Sequence, residues 1–298
     1  MIRVGVDFGG TKIEAAALDA AGHVLARVRR PNPRDYPAAL ETVRELVAEV
    51  AATAGPCDRV GVATPGSISP RTGMIRNANS TWLNSRSFQP DLERVLAMPV
   101  RLANDANCLA LSEAVDGAGA GARVVFAVIV GTGCGGGLAV ERRVIEGANG
   151  IAGEIGHIPL PWPRPEEVPG PACWCGQSGC LETYVSGTGF ARDFEAATGE
   201  PRSAEAIVEA ARHGDAASAA ALERYVDRLG RGLAVMANLL DPDAIVLGGG
   251  MSNVGEIYPR LPEAIGRYVF SDVFDTPVLK AAHGDSSGVR GAAWLWPW

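Results

Sequence analysis

The segment Asp7-Phe8-Gly9-Gly10-Thr11-Lys12 joins two apolar runs, residues 2–6 and 13–18, across a pair of glycines. Strand, glycine turn, strand is the pattern it sets. Glycines at the turn let backbone N–H groups come close to a phosphate, while Thr11 adds a hydroxyl and Lys12 a positive charge. Asp7, at a strand end, is placed to hold a magnesium-bound water. The same six residues also suit an ordinary Asx-type hairpin turn. A P-loop is excluded, because the G-x-x-x-x-G-K-[ST] spacing is missing and a strand rather than a helix follows. Only Lys12 and Lys280 are lysines, every other basic side chain being arginine. An arginine bias explains that count, and it singles out Lys12, where a compact ammonium differs most from a guanidinium.

Outward from this hairpin, residues 23–28 add a third strand. An amphipathic helix follows over 37–54, with Leu40, Val43, Val47 and Val50 on one face and Gly55 as its stop. Strands are expected at 60–63 and 100–103, the second feeding a helix over 106–114. After Gly117-Ala118-Gly119-Ala120-Gly121 the pattern restarts. Residues 124–130 read as a buried strand, 131–137 as a glycine-rich turn and 138–140 as the returning strand. Helices are expected at 189–197, 204–212 and 216–240, and a strand at 244–247 runs into Gly248-Gly249-Gly250. The halves repeat one architecture without repeating sequence. The expected division is 1–115, completed by a C-terminal helix over 288–298, and 116–287. Residues 292–298 read as a short helix whose tryptophans dock on a core or on a second subunit.

The 298 residues amount to roughly two domains. Hydrophobic residues at 47% and charged residues at 20% describe a globular chain and exclude global disorder or coiled coil. The net charge of −7 comes with no basic cluster, so a nucleic-acid partner is not expected. No charged segment leads into an apolar one at the start, and residues 124–130 fall far short of the ~20 that span a bilayer. A cytoplasmic location with no membrane partner is the expectation. In that compartment six cysteines favour metal ligation or buried thiols over disulfides.

Three further constellations carry chemistry. Gly131-Thr132-Gly133-Cys134-Gly135-Gly136-Gly137 matches G-x-G-x-x-G, but the dinucleotide reading needs a helix after the glycines and a strand is expected there. What remains is a second phosphate hairpin, with Thr132 and Gly133. Asn104-Asp105 sits between a strand and a helix. Both residue types cap helices well, and a carboxylate there is also placed to accept a proton from a substrate hydroxyl. Gly153-Glu154-Ile155-Gly156-His157 with Cys173, Cys175 and Cys180 offers one imidazole and three thiolates, enough to close a tetrahedral, structural zinc shell beside the Pro-rich loop at 159–171. Reduced cysteines around a turn are the alternative. Cys57, Cys108 and Cys134 read as buried thiols.

These motifs, with Asn104-Asp105-Ala106-Asn107 and Cys173-Trp174-Cys175-Gly176-Gln177-Ser178-Gly179-Cys180-Leu181-Glu182, resemble in order the ROK family of repressors and sugar kinases. Within it, Asn77-Ala78-Asn79-Ser80-Thr81-Trp82-Leu83-Asn84 and His283-Gly284-Asp285-Ser286-Ser287-Gly288 are most similar to bacterial fructokinases of the manno(fructo)kinase type. The resemblance implies an actin-like (ribonuclease-H-like) fold of two α/β domains around a cleft, ATP with Mg²⁺, a structural zinc and a homodimer. It implies fructose, or also mannose, phosphorylated at C6, the alternatives being a glucokinase, an N-acetylhexosamine kinase or a sugar sensor without turnover. Asp105 then matches the base; Asn79, Asn104, Glu154, His157 and Glu182 match sugar contacts. Asp7, Gly9, Gly10, Thr11, Lys12, Thr132 and Gly133 match the phosphate loops, and Gly249 and Gly250 the nucleoside segment. The family's repressors carry a DNA-binding segment before the first hairpin, which the nearness of Met1 to the strand argues against here.

Overall fold

The computed structural model describes residues 2–296. Its first hairpin is β1 (Arg3–Phe8) and β2 (Lys12–Leu18), followed by β3 (Val24–Pro31). Helix α1 (Tyr36–Ala54) starts where Asp35 accepts the Ala38 N–H and ends at Gly55. It buries Leu40, Val43, Val47 and Val50, the apolar face expected from the sequence. Burying each such side chain contributes roughly 1.5–3 kcal/mol, which is what holds an amphipathic helix in place. Then come β4 (Val60–Thr64), the short pair β5 (Ser67–Ile68) and β6 (Ile75–Arg76), α2 (Phe88–Leu96), β7 (Val100–Asn104) and α3 (Asp105–Val115). The sheet order is β3-β2-β1-β4-β7, antiparallel through the hairpins and parallel from β1 to β4 and β7.

The second half opens with β8 (Val124–Val130), β9 (Cys134–Val140) and β10 (Arg143–Val144). Helices α4 (Glu182–Val185), α5 (Gly187–Thr198), α6 (Ala204–Arg212) and α7 (Ala216–Leu240) follow, then β11 (Ala244–Gly248), α8 (Leu261–Gly266), β12 (Val278–Lys280) and α9 (Ser287–Trp294). This sheet runs β10-β9-β8-β11-β12, the same scheme of hairpins followed by parallel strands. The repeated architecture read from the sequence is therefore present, and with it the actin-like α/β fold.

The glycine turn between β8 and β9 is shorter than 131–137. It closes at Gly131, whose N–H donates to the Gly133 carbonyl at 2.9 Å, and β9 already begins at Cys134. Gly136 and Gly137 are needed for a different reason: a Cβ would drive into the carbonyls of Gly153 and Ala106 respectively.

Two compact units result. The first comprises the residues up to Gly121, Gly137–Ala152 and those from Ala282 onward; the second comprises Ala122–Gly136 and Gly153–Ala281. In the first unit, α9 lies on β1 and β4, where a Cβ on Gly5 or Gly61 would collide with the backbone of Val289 or Ala292. Trp294, 6% exposed, packs with Leu18 and Leu111, and the Trp296 indole donates to the Val60 carbonyl at 2.9 Å. Trp294 thus docks on a core, while Trp296 stays half-buried against β4; Trp298 lies outside the described residues. The buried Glu113 carboxylate ties in the same segment, accepting from the N–H groups of Ala118 and Ala282 and from Ser287 Oγ at 2.8–3.1 Å. Among the described residues no helix is long and apolar enough to cross a membrane.

The proline-rich stretch of the second unit is anchored from α7. Arg231, fully buried, donates to the carbonyls of Pro161 and Trp162 and to Glu167, which also pairs with Arg228. Burial alone would raise the Glu167 pKa, but hydrogen bonds from Arg231, the Arg164 N–H and Arg228 outweigh it and bring the group down to about 2.

Candidate active site

In the first unit the β1–β2 turn is held from outside by Asn32. Its side-chain amide donates to the Gly9 carbonyl at 2.7 Å and its own N–H donates to Thr11 O at 2.9 Å. Both carbonyls are thereby occupied on that side. Thr11 is exposed, and Lys12 Nζ stands 3.7 Å from Asp285. A Cβ on Gly10 would lie 3.0 Å from Ser80 Oγ, so the turn sits beside the loop of Asn79. That loop is braced by Asn84, whose side chain accepts from the Ala78 N–H and donates to the Ala78 carbonyl.

Asp7 lies one residue before the end of β1, opposite Glu14 in the sheet register. Glu14 is buried and paired with Arg27 and Arg29. Burial first, then the nearby negative charges of Asp105 and Glu14, push the Asp7 pKa up to about 7, against the pull of Lys12 and Arg29. The structure thus brings Asp7 and Asp105 into one electrostatic neighbourhood.

Asp105 starts α3 directly after β7. The capping alternative holds for Asn104: its Oδ1 accepts the Ala106 N–H at 2.9 Å, and its amide donates to the Gly66 carbonyl at 3.1 Å. Asp105 Oδ1 shares the Ala106 N–H at 2.8 Å. By surface area Asp105 is open to solvent, yet protein crowds its carboxyl. That loss of hydration raises its pKa above the ordinary carboxylate value, while bonds from Ala106 and Asn104 pull the other way. A raised pKa makes a carboxylate a better proton acceptor.

In the second unit Thr132 and Gly250 line one cavity of ≈ 1100 Å³, together with Gly187 and Thr188 of α5 and the face of α6 that carries Glu205, Val208 and Arg212. Gly187 N–H donates to the Gly131 carbonyl and Thr188 Oγ1 to the Thr132 carbonyl, at 2.7 and 3.1 Å. Gly249, beside Gly250, is exposed and its carbonyl accepts from Ser252 Oγ at 2.6 Å. The α6 face went unforeseen, since its periodicity is that of any amphipathic helix.

Also in this unit, Glu182 opens α4 with both carboxylate oxygens engaged, Oε2 by the Cys134 N–H at 2.8 Å and Oε1 by the Trp174 indole at 2.7 Å. Glu154 is exposed, just before the turn Ile155–His157. His157 Nδ1 faces Cys173 Sγ at 3.7 Å, and Cys175 Sγ faces Cys180 Sγ at 3.6 Å. All four donor atoms lie within 4.8 Å of one another. Zinc–sulfur bonds of about 2.3 Å would put two tetrahedral sulfurs about 3.8 Å apart, so the donor set fits zinc. Cys108 and Cys134 are buried as expected, whereas Cys57 is only half-buried, on the loop that leads into β4.

The ROK family profile matches residues 3–298. The chain is 39% identical to an N-acetyl-D-glucosamine kinase of Pectobacterium atrosepticum over 296 residues, 98% of this chain and 97% of that one. Among solved structures it is similar to a ROK hexokinase from Thermus thermophilus, with 33% identity, a TM-score of 0.88 and coverage of 99% and 97% of the two chains. It is also similar to a ROK family glucokinase from Streptomyces griseus, determined with glucose and AMPPNP, with 29% identity, a TM-score of 0.78 and 99% of both chains covered. The chain belongs to the ROK family.

Proposed function

We propose that this protein transfers the γ-phosphoryl group of ATP to the C6 hydroxyl of an N-acetylhexosamine, N-acetylglucosamine foremost. The observation that carries the transfer is Asp105, a carboxylate of raised pKa at a strand-to-helix junction, close enough to Asp7 for its charge to raise the Asp7 pKa. The substrate class rests on the full-length likeness to an N-acetyl-D-glucosamine kinase. The sequence motifs point first to fructose and hold N-acetylhexosamine as the alternative; the relative favours that alternative. The homodimer rests on the family resemblance alone.

In this reading Asp105 accepts the hydroxyl proton as the sugar oxygen bonds to the γ-phosphorus and the bond to the leaving ADP oxygen breaks. Backbone N–H groups of the two glycine turns and the Lys12 ammonium meet the phosphate oxygens. Asp7 would hold Mg²⁺, which when bound supplies charge neutralisation on the phosphates. Asn79, Asn104, Glu154, His157 and Glu182 orient the sugar, and the cavity at Gly131, α6 and Gly250 takes the nucleoside. Positioning and electrostatics then supply most of the acceleration.

A panel of N-acetylglucosamine, N-acetylgalactosamine, N-acetylmannosamine, glucose, mannose and fructose with ATP and Mg²⁺ tests the assignment. The expected order places N-acetylglucosamine at least tenfold above fructose in kcat/KM, a margin of about 1.4 kcal/mol. A chain that prefers fructose reverses the proposal.

His157, Cys173, Cys175 and Cys180 would hold zinc, which would fasten the loop without entering the reaction. One zinc per chain by elemental analysis is the expected result, and Cys175→Ser should lower both zinc content and melting temperature. Zinc-free protein with unaltered stability would remove the metal from the account.

A further inference from the structure

Trp174 stands between two of the thiol ligands and is 67% exposed, so its ring is not there to fill the core. Its indole N–H donates to Glu182 Oε1 at 2.7 Å. Its ring meets that of His157 edge-on, with centroids 5.0 Å apart and planes at 84°. On its other oxygen Glu182 accepts the Cys134 N–H. Two donors on opposite oxygens fix the plane of a carboxylate, and each oxygen keeps a second lone pair for a substrate hydroxyl. His157 turns Nδ1 toward Cys173, leaving Nε2 as the ring nitrogen aimed away from the thiols. One exposed indole therefore touches two groups that the proposed function assigns to the sugar, and its backbone is pinned on both sides by the thiol cluster.

We propose that Trp174 is a positioning residue for sugar recognition, carrying the rigidity of the Cys173–Cys175 loop to Glu182 and His157. The inference rests on the sugar-kinase reading above. Without the indole N–H, Glu182 keeps one fixed donor and regains side-chain rotation, so substrate binding has to freeze it. Sugar KM should therefore rise while the ATP KM stays put, since Trp174 does not line the nucleotide cavity.

The test uses Trp174→Phe, which keeps a ring beside His157 and loses the donor, and Trp174→Ala, which loses both. The measurements are KM for sugar, KM for ATP, kcat, zinc per chain and melting temperature. Expected is a sugar KM raised about tenfold in the Phe variant and further in the Ala variant, the loss of one hydrogen bond to a charged group. ATP KM, zinc content and melting temperature should match the wild type. Sugar KM unchanged in both variants overturns the proposal. So does a rise in both KM values together with loss of zinc, which would make Trp174 a prop for the loop alone. A wild-type protein that phosphorylates no hexose overturns the sugar-kinase reading itself, and that result needs no variant.

Discussion

Asp105→Asn is expected to lower turnover by about 10²–10⁴-fold, the range lost when a positioned general base is removed. The amide has the shape of the carboxylate, and its oxygen can still accept the Ala106 N–H at the start of α3. Asn104 continues to cap the helix, so stability should change little. What disappears is the ability to take a proton. Sugar affinity, measured calorimetrically without turnover, should stay within a few-fold of wild type. Together these outcomes separate a proton acceptor from a binding residue; turnover near the wild-type rate would remove Asp105 from that role. The raised pKa adds a pH signature: kcat should fall as pH drops through the carboxyl's elevated value, and the residual activity of the Asn variant should lose that limb.

Arg231→Met is expected to cost the second unit about 3–5 kcal/mol, the usual penalty for breaking a buried ion pair by removing one partner. Arg231 is fully buried, and without it Glu167 loses hydrogen bonds to both oxygens while the carbonyls of Pro161 and Trp162 lose their donor. Urea unfolding followed on the second unit checks the magnitude. The pH dependence has a definite sign. Glu167 titrates near 2 in the folded chain and near 4.3 when unfolded. Its contribution is therefore fully present above about pH 4.5 and is lost as pH falls toward 2. In the Met variant that acid limb should flatten. A cost under about 1 kcal/mol with an unchanged limb would show that Arg228 and the Arg164 N–H hold the loop by themselves.

What was readable in the chain followed the range of the interaction that caused it. Helices such as Ala204–Arg212 and Ala216–Leu240, and the strand Val124–Val130, write their burial pattern into adjacent residues and were placed to the residue. The hairpin glycines and the Cys₃His cluster are legible because close backbone approach, and a donor set that fits a metal, restrict residue type. Asn32 was not, since one side-chain bond to Gly9 leaves no pattern in its neighbours. Trp174 and Arg231 escaped for the same reason: each acts through a partner 8 to 70 positions away. The return of Gly137–Ala152 to the first unit left no local mark either. The glycine run reads as turn throughout, although β9 begins at Cys134, because conformational freedom and close packing call for the same residue.

The placement of α9 bears on how the protein is made. A ribosome adding about 5–20 residues per second emits the first 121 residues and then needs roughly 10–30 s more to reach the helix that covers Gly5 and Gly61. Through that interval the face of β1 and β4 that carries Gly5 and Gly61 lacks its covering helix in the nascent chain. Completion of that sheet thus awaits a helix encoded far downstream of it, and a polypeptide released before α9 would lack the cover over Gly5 and Gly61.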